Sequence, residues 1–264
     1  MNGLVPVRTL AVALLVAAGV TACSSPTADS SASHGTATRP RAASDRGRTA
    51  LTGSLASPVD VVLTWTGEEP GAAGQVVEFA TDPKGPYTIL GYLPPGQNSY
   101  HHPDLMPHTS FYYRVRPYYG PASRPIDVDL PDRARTPRER TPDPSWATPR
   151  TLRGKPGTTA SIRRTSGTDA AAPTGLRATV MQANGIRFTW HDHADDEQGY
   201  LLEDRPRGSH GFRPVAALDP DVTSFGLITL PSEKQASYRV RPYYFGQRSN
   251  VVHFLTGTPP DDHR

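Results

Sequence analysis

One cysteine, Cys23, stands in 264 residues, so neither an internal disulfide framework nor a Cys-cluster metal site can form. Stability has to come from burial. Lysine is nearly missing too: Lys84, Lys155 and Lys234 are the only lysines among 28 basic residues. Outside the first two dozen residues no segment carries a convincing 3.6-residue apolar period, which argues against a helical protein. The phrases that announce catalysis are also missing. No Ser-His-Asp phrase, H-E-x-x-H helix, phosphate-binding glycine loop or cysteine nucleophile occurs, so neither an enzymatic activity nor a cofactor is expected. With 36% hydrophobic residues against Pro 28 and Gly 23, much of the chain is not packed core. Two small domains with linkers fit these bounds better than one large domain.

What is present begins with a polar start containing Arg8, an apolar run from Leu10 to Val20, and then Val20-Thr21-Ala22-Cys23. The run is too short to span a membrane and reads as a secretion signal over residues 1–22. Its last four residues resemble the lipobox of bacterial lipoproteins. That resemblance implies a mature chain beginning at a lipidated Cys23, located outside the cytoplasm and anchored to the cell membrane.

The rest of the chain is a repeat. Tyr113 to Tyr119 and Tyr238 to Tyr244 both read YRVRPYY, and Trp65 meets Trp190 at the same spacing of 125 residues. Leu63 and Phe188, Gly74 and Gly199, Glu78 and Glu203, and Leu93 and Leu218 fall into the same ungapped register. Within each copy, apolar residues recur at i, i+2 and i+4, as in Val61, Leu63 and Trp65, while Gly, Pro, Asn and Asp mark the turns. Each copy is therefore an all-β domain of six or seven strands, which at this size means a two-sheet sandwich. Trp65, Trp190, Tyr113, Tyr238, Val115 and Val240 are the expected structural core.

These residues resemble the fibronectin type III family. The resemblance rests on Pro173 leading a first strand, Trp65 and Trp190 ending the second, Gly199-Tyr200 opening the third, and Leu105-x-Pro107-x-Thr109 ahead of Tyr113. It implies two immunoglobulin-like β-sandwiches, one over 47–131 and one over 171–257. One departure stands out. A tyrosine corner is expected at positions 111 and 236, where Phe111 and Ala236 stand, so the corner is lost or rebuilt.

The segment 132–170 is rich in Pro, Thr, Ser, Ala and Arg, carries nine basic residues against four acidic ones, and reads as a basic disordered linker. Its net +5 exceeds the +3 of the whole chain, so the sandwiches are close to neutral. Residues 23–46 read as a similar polar tether and 258–264 as a tail.

Four constellations invite a functional reading. The stretch WHDHADDEQGY, Trp190 to Tyr200, packs two histidines and four carboxylates into seven residues, yet its partner in the first copy is WTGEEPGAAGQ. It reads as the B–C loop, with Asp and Glu bonding turn amides; a weak calcium site is the alternative, and no metal is assigned. The B–C and F–G loops share one end of such a sandwich, so His191, His193 and Asp195 should lie near Tyr243, Tyr244 and Phe245. Together they form the expected ligand-contact surface; the alternative for the aromatics is that one tyrosine of each pair, Tyr118-Tyr119 and Tyr243-Tyr244, closes the end of its core. Arg114, Arg116, Arg239 and Arg241 should pair across strands with Glu78 and Glu203, in preference to forming a ligand-binding stripe. His101 and His102 point to opposite faces of a strand, make poor joint ligands, and read as surface residues.

The resulting expectation is a monomeric, non-catalytic lipoprotein that binds a protein or polysaccharide partner at the cell surface, touches the membrane through its lipid anchor, and binds no nucleic acid. An accessory role in extracellular polysaccharide degradation beside a separate glycoside hydrolase, and an inert spacer, are the alternatives.

Overall fold

A computed structural model describes residues 49–67, 69–140, 144–152, 159–163 and 168–257. The signal segment, Cys23, the tether and the 258–264 tail lie outside the described residues.

Among them the chain is almost entirely β. In the first copy β1 (Ala50–Ser57), β2 (Asp60–Thr66) and β5 (Ser99–His102) form a three-stranded sheet. It faces β3 (Gly74–Ala80), β4 (Thr88–Leu93) and β6 (Ser110–Tyr119). The second copy repeats this with β8 (Thr174–Gln182), β9 (Gly185–His191) and β12 (Ser224–Ile228) against β10 (Gly199–Pro206), β11 (Arg213–Leu218) and β13 (Gln235–Phe245). Period-two burial drives both: Val61, Leu63 and Trp65 face one core, and Ile186, Phe188 and Trp190 the other. Tyr113 and Val115 lie in the first core and Tyr238 and Val240 in the second, all fully buried.

The fourth strand of each larger sheet comes from the other half of the chain. Strand β7 (Ile126–Asp129) follows β6 in sequence but pairs with β13, through Gln235↔Asp129 to Tyr238↔Ile126. Strand β14 (Val252–Leu255) pairs with β6, through Val252↔Tyr113 to Leu255↔Ser110. Val128 and Leu130 accordingly enter the second core, and Val252 and Phe254 the first. Each sandwich is thus three strands on four, a fibronectin type III-like layout completed by exchange. The boundaries 47–131 and 171–257 therefore do not enclose complete sandwiches.

The larger sheets also join edge to edge. Tyr244 pairs with Tyr119 and Phe245 with Tyr118, giving one eight-stranded sheet.

The connecting segment is only partly the featureless linker expected from composition. After a short helix, α1 (Pro137–Arg140), the Trp146 ring fills the space left by Gly185 and Gly226, where a Cβ would come within 2.5 and 2.7 Å of it. Arg150 bridges to Ser224 on β12, and Ile162 is buried against Ala171 and Ala194. Few apolar residues are needed, because the glycines open a slot and unpaired strand edges supply backbone partners.

Candidate functional site

The Trp190–Tyr200 stretch is indeed a loop between two strands, and its acids do bond turn amides. Asp192 Oδ1 accepts the Ala194 N–H at 2.9 Å and the Tyr200 hydroxyl. Glu197 Oε1 accepts the Asp221 N–H at 3.2 Å. Asp196 accepts from Ser161 Oγ at 2.6 Å and from the Ile162 N–H at 2.8 Å, which fastens the connecting segment to the loop.

His191 is exposed and lies against Gly175, whose added Cβ would come within 3.0 Å of Nδ1. His193 Nε2 is 2.7 Å from Thr174 Oγ1. Asp195 is exposed. The F–G aromatics do reach the same end: Gln198 N–H donates to the Tyr243 carbonyl at 2.7 Å, and the Phe245 N–H donates to Gln198 Oε1 at 2.7 Å. Tyr244 packs against the Ile162, Ala171 and Ala194 cluster.

Those aromatics are spent on the seam between the sandwiches and do not form an open contact surface. Tyr243 is buried, with its hydroxyl 2.8 Å from that of Tyr92 and the rings edge-on at 5.4 Å. Tyr244 stacks on Tyr119 at 5.3 Å, and the Arg116 guanidinium lies 3.6 Å over Phe245. The sequence placed them at a loop tip because nothing in one copy announces that the other will dock there. Tyr118 and Tyr243 hold matching places, each lying over a glycine, Gly74 and Gly199, where a Cβ would come within 2.4 and 2.8 Å of the hydroxyl. Burial raises the Tyr92 and Tyr243 pKa values, so the pair stays neutral.

The strand arginines do pair with the matched glutamates, but those glutamates are not surface residues. Arg114 Nε and Arg116 Nη2 donate to Glu78 at 2.7 and 2.5 Å; Arg239 Nε and Arg241 Nε donate to Glu203 at 2.5 and 3.0 Å. Both glutamates are 1% exposed. The arginine planes then lie over rings, Arg114 on Tyr87 and Arg239 on Phe212. His101 is exposed, but His102 turns inward against Phe79, Phe111 and Tyr113, contrary to a surface reading of the pair.

The tyrosine corner is rebuilt. The Tyr238 hydroxyl donates to the Glu233 carbonyl at 2.5 Å, two positions beyond the expected place. In the first sandwich the matching Tyr113 hydroxyl is 2.9 Å from His102 Nδ1.

One group was not assembled from sequence. Asp192, Glu197 and Asp221 each offer a carboxylate oxygen within 4.8 Å of the other two. Asp192 and Asp221 line a cleft of about 300 Å3 together with Trp190 and His191. Burial pushes the Glu197 carboxyl above its ordinary range, and the charges of Asp192 and Asp221 push the same way. The repeat held the missing signal, since Asp221 stands where the first copy has Gly96, and both adopt positive φ.

No protein-family profile matches the chain, and no curated protein matches it. Among solved structures, a two fibronectin type III domain segment of chicken tenascin is similar over 80% of this chain and 99% of its own, at 13% identity and a TM-score of 0.25. The FN1–FN3 domains of chicken CNTN1 are similar over 80% of this chain and 67% of theirs, at 15% identity and the same TM-score of 0.25. Pectate lyase PelI from Erwinia chrysanthemi, solved with tetragalacturonic acid, is similar over 27% of this chain, at 22% identity and a TM-score of 0.25. The chain spans 23% of that lyase.

Proposed function

We propose that this chain is a non-catalytic, lipid-anchored protein outside the cytoplasmic membrane, whose two sandwiches form one stiff platform for binding or displaying a protein or polysaccharide. The fibronectin type III-like fold suits a binding or spacer module. The observation that carries the stiffness is the reciprocal exchange of β7 and β14. Each sandwich is completed by the other, so bending between them would have to tear strands out of a sheet. The anchor rests on the Val20-Thr21-Ala22-Cys23 phrase. With Tyr243 buried and Tyr244 and Phe245 held in the seam, His191, Asp195 and the cleft beside them form the exposed surface peculiar to the second sandwich.

Two arms test this reading. Wild-type protein should fractionate with membranes and carry an acylated Cys23 by mass spectrometry, whereas Cys23→Ala should lose both; an unmodified cysteine in the medium overturns the anchor. Crosslinking on intact cells should recover the same partner with wild type and lose it when His191 and Asp195 are both changed to alanine. Recovery unchanged in that variant moves the binding surface elsewhere.

A further inference from the structure

We propose that Asp192, Glu197 and Asp221 form a calcium site at the B–C end of the second sandwich. Three carboxylates alone would not carry this, since acids often gather at loops. The independent observation is Asp192 Oδ2. Asp192 is 1% exposed, its Oδ1 already holds the Ala194 amide and the Tyr200 hydroxyl, and Oδ2 is buried without any hydrogen-bond partner. An orphaned, buried carboxylate oxygen costs far more than an orphaned neutral group, and a cation placed among the three acids removes that cost.

The donor set selects the ion. All three ligands are carboxylate oxygens, the choice of a hard cation, and neither the cysteine sulfur nor the nearby histidines belong to the trio. Ligands spread over a loop and a separate turn suit the loose coordination of calcium better than the near-ideal octahedron of magnesium. Asp221 is exposed and lines the cleft with Asp192, so an ion and its waters have a path in.

The repeat supplies a control within the same molecule. Positions 192, 197 and 221 correspond to Gly67, Ala72 and Gly96, so all three acids are missing together from the first sandwich. Turn bonding alone does not require an acid at position 221, because the first sandwich makes the matching positive-φ turn with Gly96. The site belongs to the second sandwich only.

Calorimetry of the full chain with calcium should give one site with a Kd of about 10⁻⁴ to 10⁻³ M, the range of extracellular calcium modules, and magnesium should bind more weakly. Calcium should also raise the melting temperature. Asp192→Asn and Glu197→Gln keep the oxygens that hold the Ala194 and Asp221 amides, so both variants should melt normally without calcium. Each should weaken binding by at least about tenfold and lose the calcium-induced shift. No heat and no shift at about 10 mM calcium overturns the proposal. Binding that is unchanged in both variants overturns it as well.

Discussion

At the residue scale, burial sets the consequences of a substitution more firmly than charge does. Glu78 and Glu203 each receive two arginines while almost wholly out of water, so removing the carboxylate strands two guanidinium groups. Glu203→Ala should cost about 3–5 kcal/mol by chemical denaturation, where an exposed pair would cost under about 1 kcal/mol. Tyr243→Phe should cost about 1–3 kcal/mol, since it leaves the Tyr92 hydroxyl buried without its partner. His102 gives stability a pH dependence. Burial, aided by the neighbouring His101 charge, holds its pKa below the ordinary 6.5. As pH falls, the unfolded chain takes the proton first. The contribution of neutral His102 is therefore complete above about pH 6.5 and is lost as pH falls through the lower folded value. Melting curves recorded from about pH 7.5 down to 5.5 should show this decline, and His102→Gln should flatten it.

At the element scale, two serines fasten the exchanged strands. Ser123 lies just before β7, where its N–H donates to the Val240 carbonyl at 2.8 Å and its Oγ accepts the Val240 N–H at 3.0 Å. Ser249 lies just before β14 and makes the same two bonds to Val115, at 2.8 and 3.0 Å. The interface is self-complementary in the manner of a two-fold dimer, although both halves belong to one chain. Ser249→Ala and Ser123→Ala each orphan a buried amide and should cost about 1–3 kcal/mol. Urea unfolding should return similar values for the two. A large disparity would mean that the exchange is not symmetric in energy. The serines were visible in sequence, but their spacing of 126 residues steps out of the 125-residue register, because Phe245 is an extra residue in the second connection.

At the scale of the whole molecule, exchange makes folding a joint event. Neither half keeps a complete four-stranded sheet without the other, and the cluster of Val76, Tyr92, Tyr118, Leu201 and Tyr243 exists only when both are present. Heating should therefore give one cooperative transition in calorimetry. A protease site replacing residues 154–157 tests the same point: after cleavage the two fragments should co-elute in size exclusion and separate only in denaturant. Fragments that part in native buffer would return the modules to independence. The docked Trp146, Arg150 and Ile162 add to the hold on the second sandwich, and Arg150 covers part of the β12 edge.

The sequence by itself determined the all-β class, the duplication and which face of each strand is buried, because the pleat writes a period of two into the residues of a single strand. It also placed the tryptophans and the YRVRPYY valines in two cores. It could not decide which edge a strand pairs with. Strands β6 and β13 carry the same seven residues, so β7 and β14 meet equivalent acceptor edges in either half, and alternation reads identically for both choices. Only the tertiary structure settled that choice, with the aromatic seam between the sandwiches accompanying the crossing. The meeting of Asp192 and Glu197 with Asp221 was decided there too, since the three become neighbours only when the turn before β12 folds against the B–C loop.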